Sequence, residues 1–183
     1  MTRRREAVVI RRPVSAELVP SGQRIDLEPG TLADVTQALG SSFTLYVEGH
    51  LVRLAGVDAD AIGKEVPQAP ELPAAAGPDE IRALVWQTLK TCYDPEIPVN
   101  IVDLGLVYLC ELSDAEGGGK KVNVKMTLTA PGCGMGPVLA GDVRSKIMAL
   151  PGVKDAEVEV VFDPVWDRSM MSEAARLQLG MMW

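Results

Sequence analysis

Cys133 stands inside Thr129-Ala130-Pro131-Gly132-Cys133-Gly134-Met135-Gly136-Pro137, a glycine-rich turn between an expected strand and an expected helix. A thiolate is both a nucleophile and a soft metal ligand. A helix amino terminus favours that ionised form through its partial positive charge and unpaired N–H groups. Gly132 and Gly134 leave room for a ligand to approach the backbone. Glycines also build turns that carry no chemistry, so spacing alone leaves a reactive and a structural Cys133 both open.

Upstream, Tyr93-Asp94-Pro95-Glu96-Ile97-Pro98 runs on to Asp103-Leu104-Gly105-Leu106. Asp94 suits a turn cap, Pro95 the position after it, and Asp103 can accept from nearby N–H groups before Gly105. One reading is a rigid corner. The other is that Asp94 and Glu96 present carboxylates near Cys133. One segment enters the strand starting near Leu106 and the other leaves its hairpin partner at Thr129, which brings both to one end of a sheet. The other cysteines read as core residues. Cys92 continues the stripe Ile81, Leu84, Val85 and Leu89, and Cys110 alternates with Leu106, Tyr108 and Leu112.

The elements that must hold these segments follow from periodicity. A helix is expected over 79–91, with Asp79 and Glu80 where the dipole favours acids. A strand over 106–112, a loop containing Gly117-Gly118-Gly119 and the strictly alternating Val122 to Thr129 make a hairpin. A second helix over 137–149 turns Leu139, Val143, Ile147 and Leu150 inward, and Ala156, Val158, Val160 and Phe162 alternate as a third strand. The result is an α+β chain: a two-layer domain over 79–162 with a mostly antiparallel sheet and two packed helices. Ahead of it, 64–78 carries Pro67, Pro70, Pro73 and Pro78 and reads as a Pro/Ala-rich linker.

Residues 1–63 read as a small β-rich module with strands near 31–35, 43–48 and 51–55, although Leu32, Val35 and Leu39 also fit a helical stripe. Arginines 3, 4, 5, 11 and 12 flank Ala7-Val8-Val9-Ile10 in the pattern of a charged strand edge. Residues 163–183 form a helical tail, with Ser169 as cap and Met170, Ala174, Leu177 and Met181 on one face. That face packs on its own domain or meets a subunit or client.

Composition excludes several classes. With 183 residues and 47% hydrophobic content the chain supports a true core. No apolar run approaches the ~20 residues that span a bilayer, and the start lacks a secretory signal. A net charge of -7 disfavours nucleic-acid binding. Three cysteines without paired spacing fit a reducing cytoplasm.

The two motifs, Asp94-Pro95-Glu96-Ile97-Pro98 through Leu106 and Thr129 through Cys133, occur in the order and separation of a known family. Over 79–162 the chain resembles the small iron-sulfur assembly domain of SufT proteins, the eukaryotic cytosolic iron-sulfur targeting factor, PaaD and the Mrp-type ATPases. Thr36 to Gly40, Asp58 to Gly63, Trp166-Asp167 and Met171 to Ala174 extend the SufT-type resemblance over most of the chain. The resemblance implies a pocket lined by Asp94, Glu96, Ile97, Thr129 and Cys133, supported by Asp103, Gly132 and Gly134, and a role in maturing iron-sulfur proteins.

The residues constrain how such a role works. A single loop thiol cannot supply the usual four cysteine ligands of a cluster, and His50 lies in the other module. A cluster or iron held by Cys133 is therefore shared with a second protomer, a partner protein or a small thiol, which suits transfer. The expectation is a non-enzymatic accessory factor that assembles iron-sulfur clusters or delivers them to client proteins. Cys133 would be a transient ligand, and the partners would be an iron-sulfur scaffold and client apoproteins. An adaptor with a structural Cys133 and a thiol-dependent enzyme are the alternatives. The enzyme lacks a general base near Cys133 and any Gly-x-Ser-x-Gly, His-Glu-x-x-His or Cys-x-x-Cys motif, and Gly117 to Lys121 is not a phosphate loop.

Overall fold

The structure is a computed structural model that describes residues 6–39, 42–68, 76–94 and 97–181. The chain divides into two compact units, Met1–Gln68 and Ala69–Trp183.

The first unit is an antiparallel sheet of β1 (Glu6–Val9), β2 (Val14–Leu18), β3 (Arg24–Leu27), β4 (Leu32–Leu39), β5 (Ser42–Val47) and β6 (His50–Ala55). Their order in the sheet is β1-β4-β5-β6-β2-β3. The segment whose apolar spacing also fitted a helix is β4. Its Ala33 and Val35 are buried while Leu32 is 72% exposed, a two-residue alternation that a helix cannot produce. Leu45, Val52 and Leu54 are fully buried, and Ala61 and Ile62 of the 3-10 segment Gly56–Ile62 join the same core. Arg12 pins that segment by pairing with Asp58 at 2.8 Å and Asp60 at 2.6 Å, and its hydrogen bond holds the Asp60 carboxyl below its usual range. β1 is an edge strand, as the flanking charges suggest.

The second unit begins with α1 (Pro78–Leu89), where proline occupies the first turn and the Glu80 carboxylate accepts the Gly77 N–H at 2.7 Å. β7 (Val107–Asp114) and β8 (Lys120–Met126) form the hairpin, and α2 (Gly136–Met148) leads to β9 (Val153–Val160). The three-stranded sheet is mixed: β7 runs antiparallel to β8, and β9 runs parallel to it because the connection crosses over through α2. Ile81, Leu84, Val85 and Leu89 of α1 and Leu139, Val143 and Ile147 of α2 pack against Val122, Val124, Met126 and Ala156 of the sheet. Truncating Val143 or Ile147, both fully buried, would cost about 2–5 kcal/mol. The opposite face is polar, with Lys121 bonded to Glu157 at 3.0 Å and Lys125 near Glu159 at 3.5 Å.

Local departures from simple periodicity matter for the site. Val107 pairs with Met126 and Leu109 with Lys125, so Tyr108 is an extra residue and the alternation through Cys110 shifts there. The expected strand to Thr129 stops at Met126, which Val107 and Val160 both face across the ladders. The expected tail helix is instead a 3-10 turn, Arg168–Met170, and a short α3 (Glu173–Gln178). Asp167 caps the first and Ser172 the second, in place of Ser169. The extended Met171 resets the register, so Met171 and Ala175 are buried while Leu177 is 53% exposed. Among the described residues no helix is long and apolar enough to cross a membrane.

Candidate functional site

The strand ladders determine which segments meet. β7 starts where β8 and β9 end, so the loop before Leu106, the loop after Met126 and the chain after Val160 leave the same end of the sheet. Main-chain bonds secure this: Thr127 N–H donates to Leu106 O at 2.8 Å, and Val161 N–H donates to Met126 O at 2.8 Å.

The acidic loop is held from within and from outside. Tyr93 and Asn100 form an isolated antiparallel bridge, and Ile101 N–H donates to Cys92 O at 2.9 Å. Asp94 is 6% exposed, and its carboxylate accepts the Ile97 N–H at 3.0 Å, the capping role its position suggests. Ile97 is half-buried against the core. Glu96 lies outside the described residues.

Sequence reasoning missed Asn100, whose side-chain oxygen accepts from Val102 N–H at 3.1 Å and Asp103 N–H at 2.9 Å. Its amide donates to the Asp103 carboxylate at 2.6 Å. Asp103 thus takes a side-chain partner, because Asn100 already occupies the N–H groups that Asp103 was expected to reach. Asparagine two residues before a tight turn is the signal that could have found it.

The tail closes the loop's outer side. Trp166 Nε1 donates to Leu104 O at 2.8 Å, Ser172 N–H to Asp103 O at 2.8 Å, and Gln178 Nε2 to Pro98 O at 2.8 Å. Tyr108, freed by the irregularity in β7, donates to Pro164 O at 2.8 Å. Gly105 has φ +74°, and a Cβ there would lie 2.7 Å from the Met170 carbonyl carbon, so only glycine fits under this segment.

On the second loop Thr129 and Cys133 are half-buried, Gly134 is exposed, and Cys133 packs against the core. The loop turns at Gly132, with φ +80° and open space where a Cβ would stand. α2 starts at Gly136, so the thiol residue precedes the helix, tied to it by Gly136 N–H donating to Cys133 O at 3.1 Å. Thr127, between strand and loop, is 1% exposed, and its hydroxyl has no hydrogen-bond partner among the described residues. The sequence marked it only as a strand position.

The other thiols have different fates. Cys92 is fully buried and donates to Thr88 O at 3.7 Å, with Lys146 Nζ at 3.7 Å. Burial pushes the Cys110 thiol up to about 11, against a smaller opposing effect of the Arg82 charge. None of the three cysteines forms a disulfide. Among the described residues no three His, Cys, Asp or Glu side chains converge in a group that could hold a metal ion.

The family of iron-sulfur cluster assembly proteins matches residues 82–160, within the second unit. The chain is 46% identical over 96 residues to the Fe-S protein maturation auxiliary factor of Porphyromonas gingivalis, covering 52% of this chain and 88% of that protein. It is 37% identical to the auxiliary factor YitW of Bacillus subtilis, covering 56% of this chain and 96% of the relative. It is 42% identical to SufT of Staphylococcus aureus, covering 48% and 94%. A solved domain of unknown function from Bacillus anthracis is 33% identical, with a TM-score of 0.49 and coverage of 56% of this chain and 94% of that chain. The motifs of the first unit, Thr36 to Gly40 and Asp58 to Gly63, lie outside the family match. With both signature segments inside that match and most of each relative's length covered, the chain belongs to the iron-sulfur cluster assembly protein family.

Proposed function

We propose that this protein is an accessory factor in iron-sulfur cluster assembly or delivery, in which Cys133 transiently ligates iron or a cluster on its way to a client apoprotein. The observation that carries the reading is the placement of the Cys133 loop and the Asp94 loop at one end of the sheet, while Cys92 is buried and burial keeps the Cys110 thiol protonated. A thiolate that is one ligand among several supplied by different molecules binds reversibly, and exchange of thiolate ligands moves cargo onward without a chemical turnover of its own. The protein acts as a carrier rather than an enzyme, in the reducing cytoplasm, with a scaffold and client apoproteins as partners. Asp94 serves by capping the acidic loop, and half-buried Thr129 and core-packed Ile97 shape the two loops at that sheet end.

The test is Cys133→Ala in cells depleted of the native protein, together with anaerobic reconstitution of the purified chain followed by ultraviolet-visible and Mössbauer spectra. Loss of client maturation and loss of thiolate-bound iron are expected. Full client maturation by Cys133→Ala would overturn the carrier reading. Maturation that depends on the protein but not on Cys133 would point to an adaptor.

A further inference from the structure

The loop from Ile97 to Leu106 has almost no secondary structure of its own, so its carbonyl groups show what holds it. Inside the loop, Ile97 O accepts from Val99 N–H, Asn100 O from Leu104 N–H, Ile101 O from Leu106 N–H and Val102 O from Gly105 N–H. Leu106 O accepts from Thr127 N–H of the sheet. The carbonyls of Pro98, Asp103 and Leu104 are served by Gln178, Ser172 and Trp166 instead. The tail thus supplies donors that neither the loop nor the sheet provides. It also presses the Met170 backbone against Gly105 and anchors Met171 and Ala175 in the core beneath.

We propose that Trp166, Gln178 and the Ser172 backbone are positioning elements of the site. By this reading the segment from Asp163 to Met181 is a clasp that holds the acidic loop in the conformation that keeps Asp94 at the sheet end it shares with Cys133, and cargo handling requires the clasp closed. The proposal rests on the carrier reading and adds to it a residue set outside the family match, which ends at 160. The interactions are polar and directional, so they fix where the loop lies and not merely that it is covered. Trp166 carries this most clearly: its ring packs against the core while its N–H reaches Leu104 O, and phenylalanine would keep the packing and lose only the bond.

The experiment uses the full chain with Trp166→Phe and Gln178→Ala combined, each single variant, Leu177→Ala as an exposed control on the same segment, and Cys133→Ala in parallel. Amide hydrogen exchange and client maturation in depleted cells are both measured. In the double variant the amides of Leu104, Gly105 and Leu106 are expected to exchange at least tenfold faster while those of Val122 and Val124 in β8 stay unchanged. Client maturation is expected to fall at least fivefold. Leu177→Ala should change neither, and each single variant should show a smaller form of the same paired effect. Should the double variant fail to fold, the single variants decide by the same criteria. Unchanged loop exchange, or a loosened loop with full client maturation, overturns the clasp. If Cys133→Ala abolishes maturation while the clasp variants leave it intact, only the clasp fails. If all variants mature clients normally, the carrier reading fails with it.

Discussion

Replacing Gly105 with alanine isolates the contact between loop and tail. Two costs add. The left-handed backbone at φ +74° disfavours an L side chain by about 1–2 kcal/mol. The new Cβ would also stand 2.7 Å from the Met170 carbonyl carbon and 2.9 Å from the Met170 Cβ. These are main-chain and near-main-chain atoms that cannot rotate aside, so the tail has to lift. Lifting it forfeits the bonds from Trp166 to Leu104 O and from Ser172 to Asp103 O, each worth about 0.5–1.5 kcal/mol net. The expected loss is about 2–5 kcal/mol, a large share of the ~5–15 kcal/mol that typically holds a domain together.

Gly132→Ala provides the matched control. It too has positive φ, at +80°, but nothing lies within 4 Å of the added Cβ, so only the backbone cost of about 1–2 kcal/mol applies. Urea unfolding followed by tryptophan fluorescence reads the relevant unit alone, since Trp86, Trp166 and Trp183 all fall in the second unit. Equal losses for the two variants would refute the argument that the tail bears on Gly105.

Three further outcomes are expected. Asn100→Ala removes the acceptor for Val102 and Asp103 N–H and should cost about 1–2 kcal/mol in the same assay, as loss of a capping side chain does; a loss below ~0.3 kcal/mol would show the turn holds itself. Thr127→Val deletes a buried hydroxyl that has no partner among the described residues while keeping its shape, so stability should rise by about 1 kcal/mol or more, and a fall would reveal a hidden partner. Cys110, with its thiol pushed up to about 11, should be alkylated at pH 8 about two orders of magnitude more slowly in the folded chain than in the unfolded one, as mass spectrometry of the labelled peptide will show. Its pKa is higher folded than unfolded, so its contribution to stability is complete below about pH 9 and is lost as pH rises towards about 11. Unfolding midpoints that stay level across that range for wild type but not for Cys110→Ala would contradict this.

The helices and the hairpin were legible because each buries one face. Ile81, Leu84, Val85 and Leu89 of α1 and Leu139, Val143 and Ile147 of α2 repeat at helical spacing, and Val122, Val124 and Met126 alternate. The convergence of the two loops was legible too, since a hairpin admits only one way to join its ends. What escaped depended on contacts between distant residues. Tyr108 breaks the alternation of β7 to reach Pro164, and no neighbour in sequence signals that. The tail's apolar residues fit a helical stripe one position away from the one used, because the extended Met171 resets the register ahead of α3, which the tail's own periodicity does not signal. In the first unit, β2 and β3 are too short and too polar for period alone to mark. Val14 and Ala16 alternate with Ser15 and Glu17, and Arg24 to Leu27 buries only Leu27.

The partners that complete the acidic loop are distant along the chain: Trp166 lies 62 residues beyond Leu104, and Gln178 lies 80 beyond Pro98. Closing a chain over such spans costs entropy before any bond forms, whereas the β7–β8 hairpin and the first turns of each helix close locally. The order of assembly follows: sheet and helices first, with the loop's outer bonds made last. The same bonds are then the first to break in native-state fluctuations, at a free energy well below that of melting the core. The loop from Pro98 to Leu104 can thus unlatch from the tail while the sheet and helices behind it stay folded.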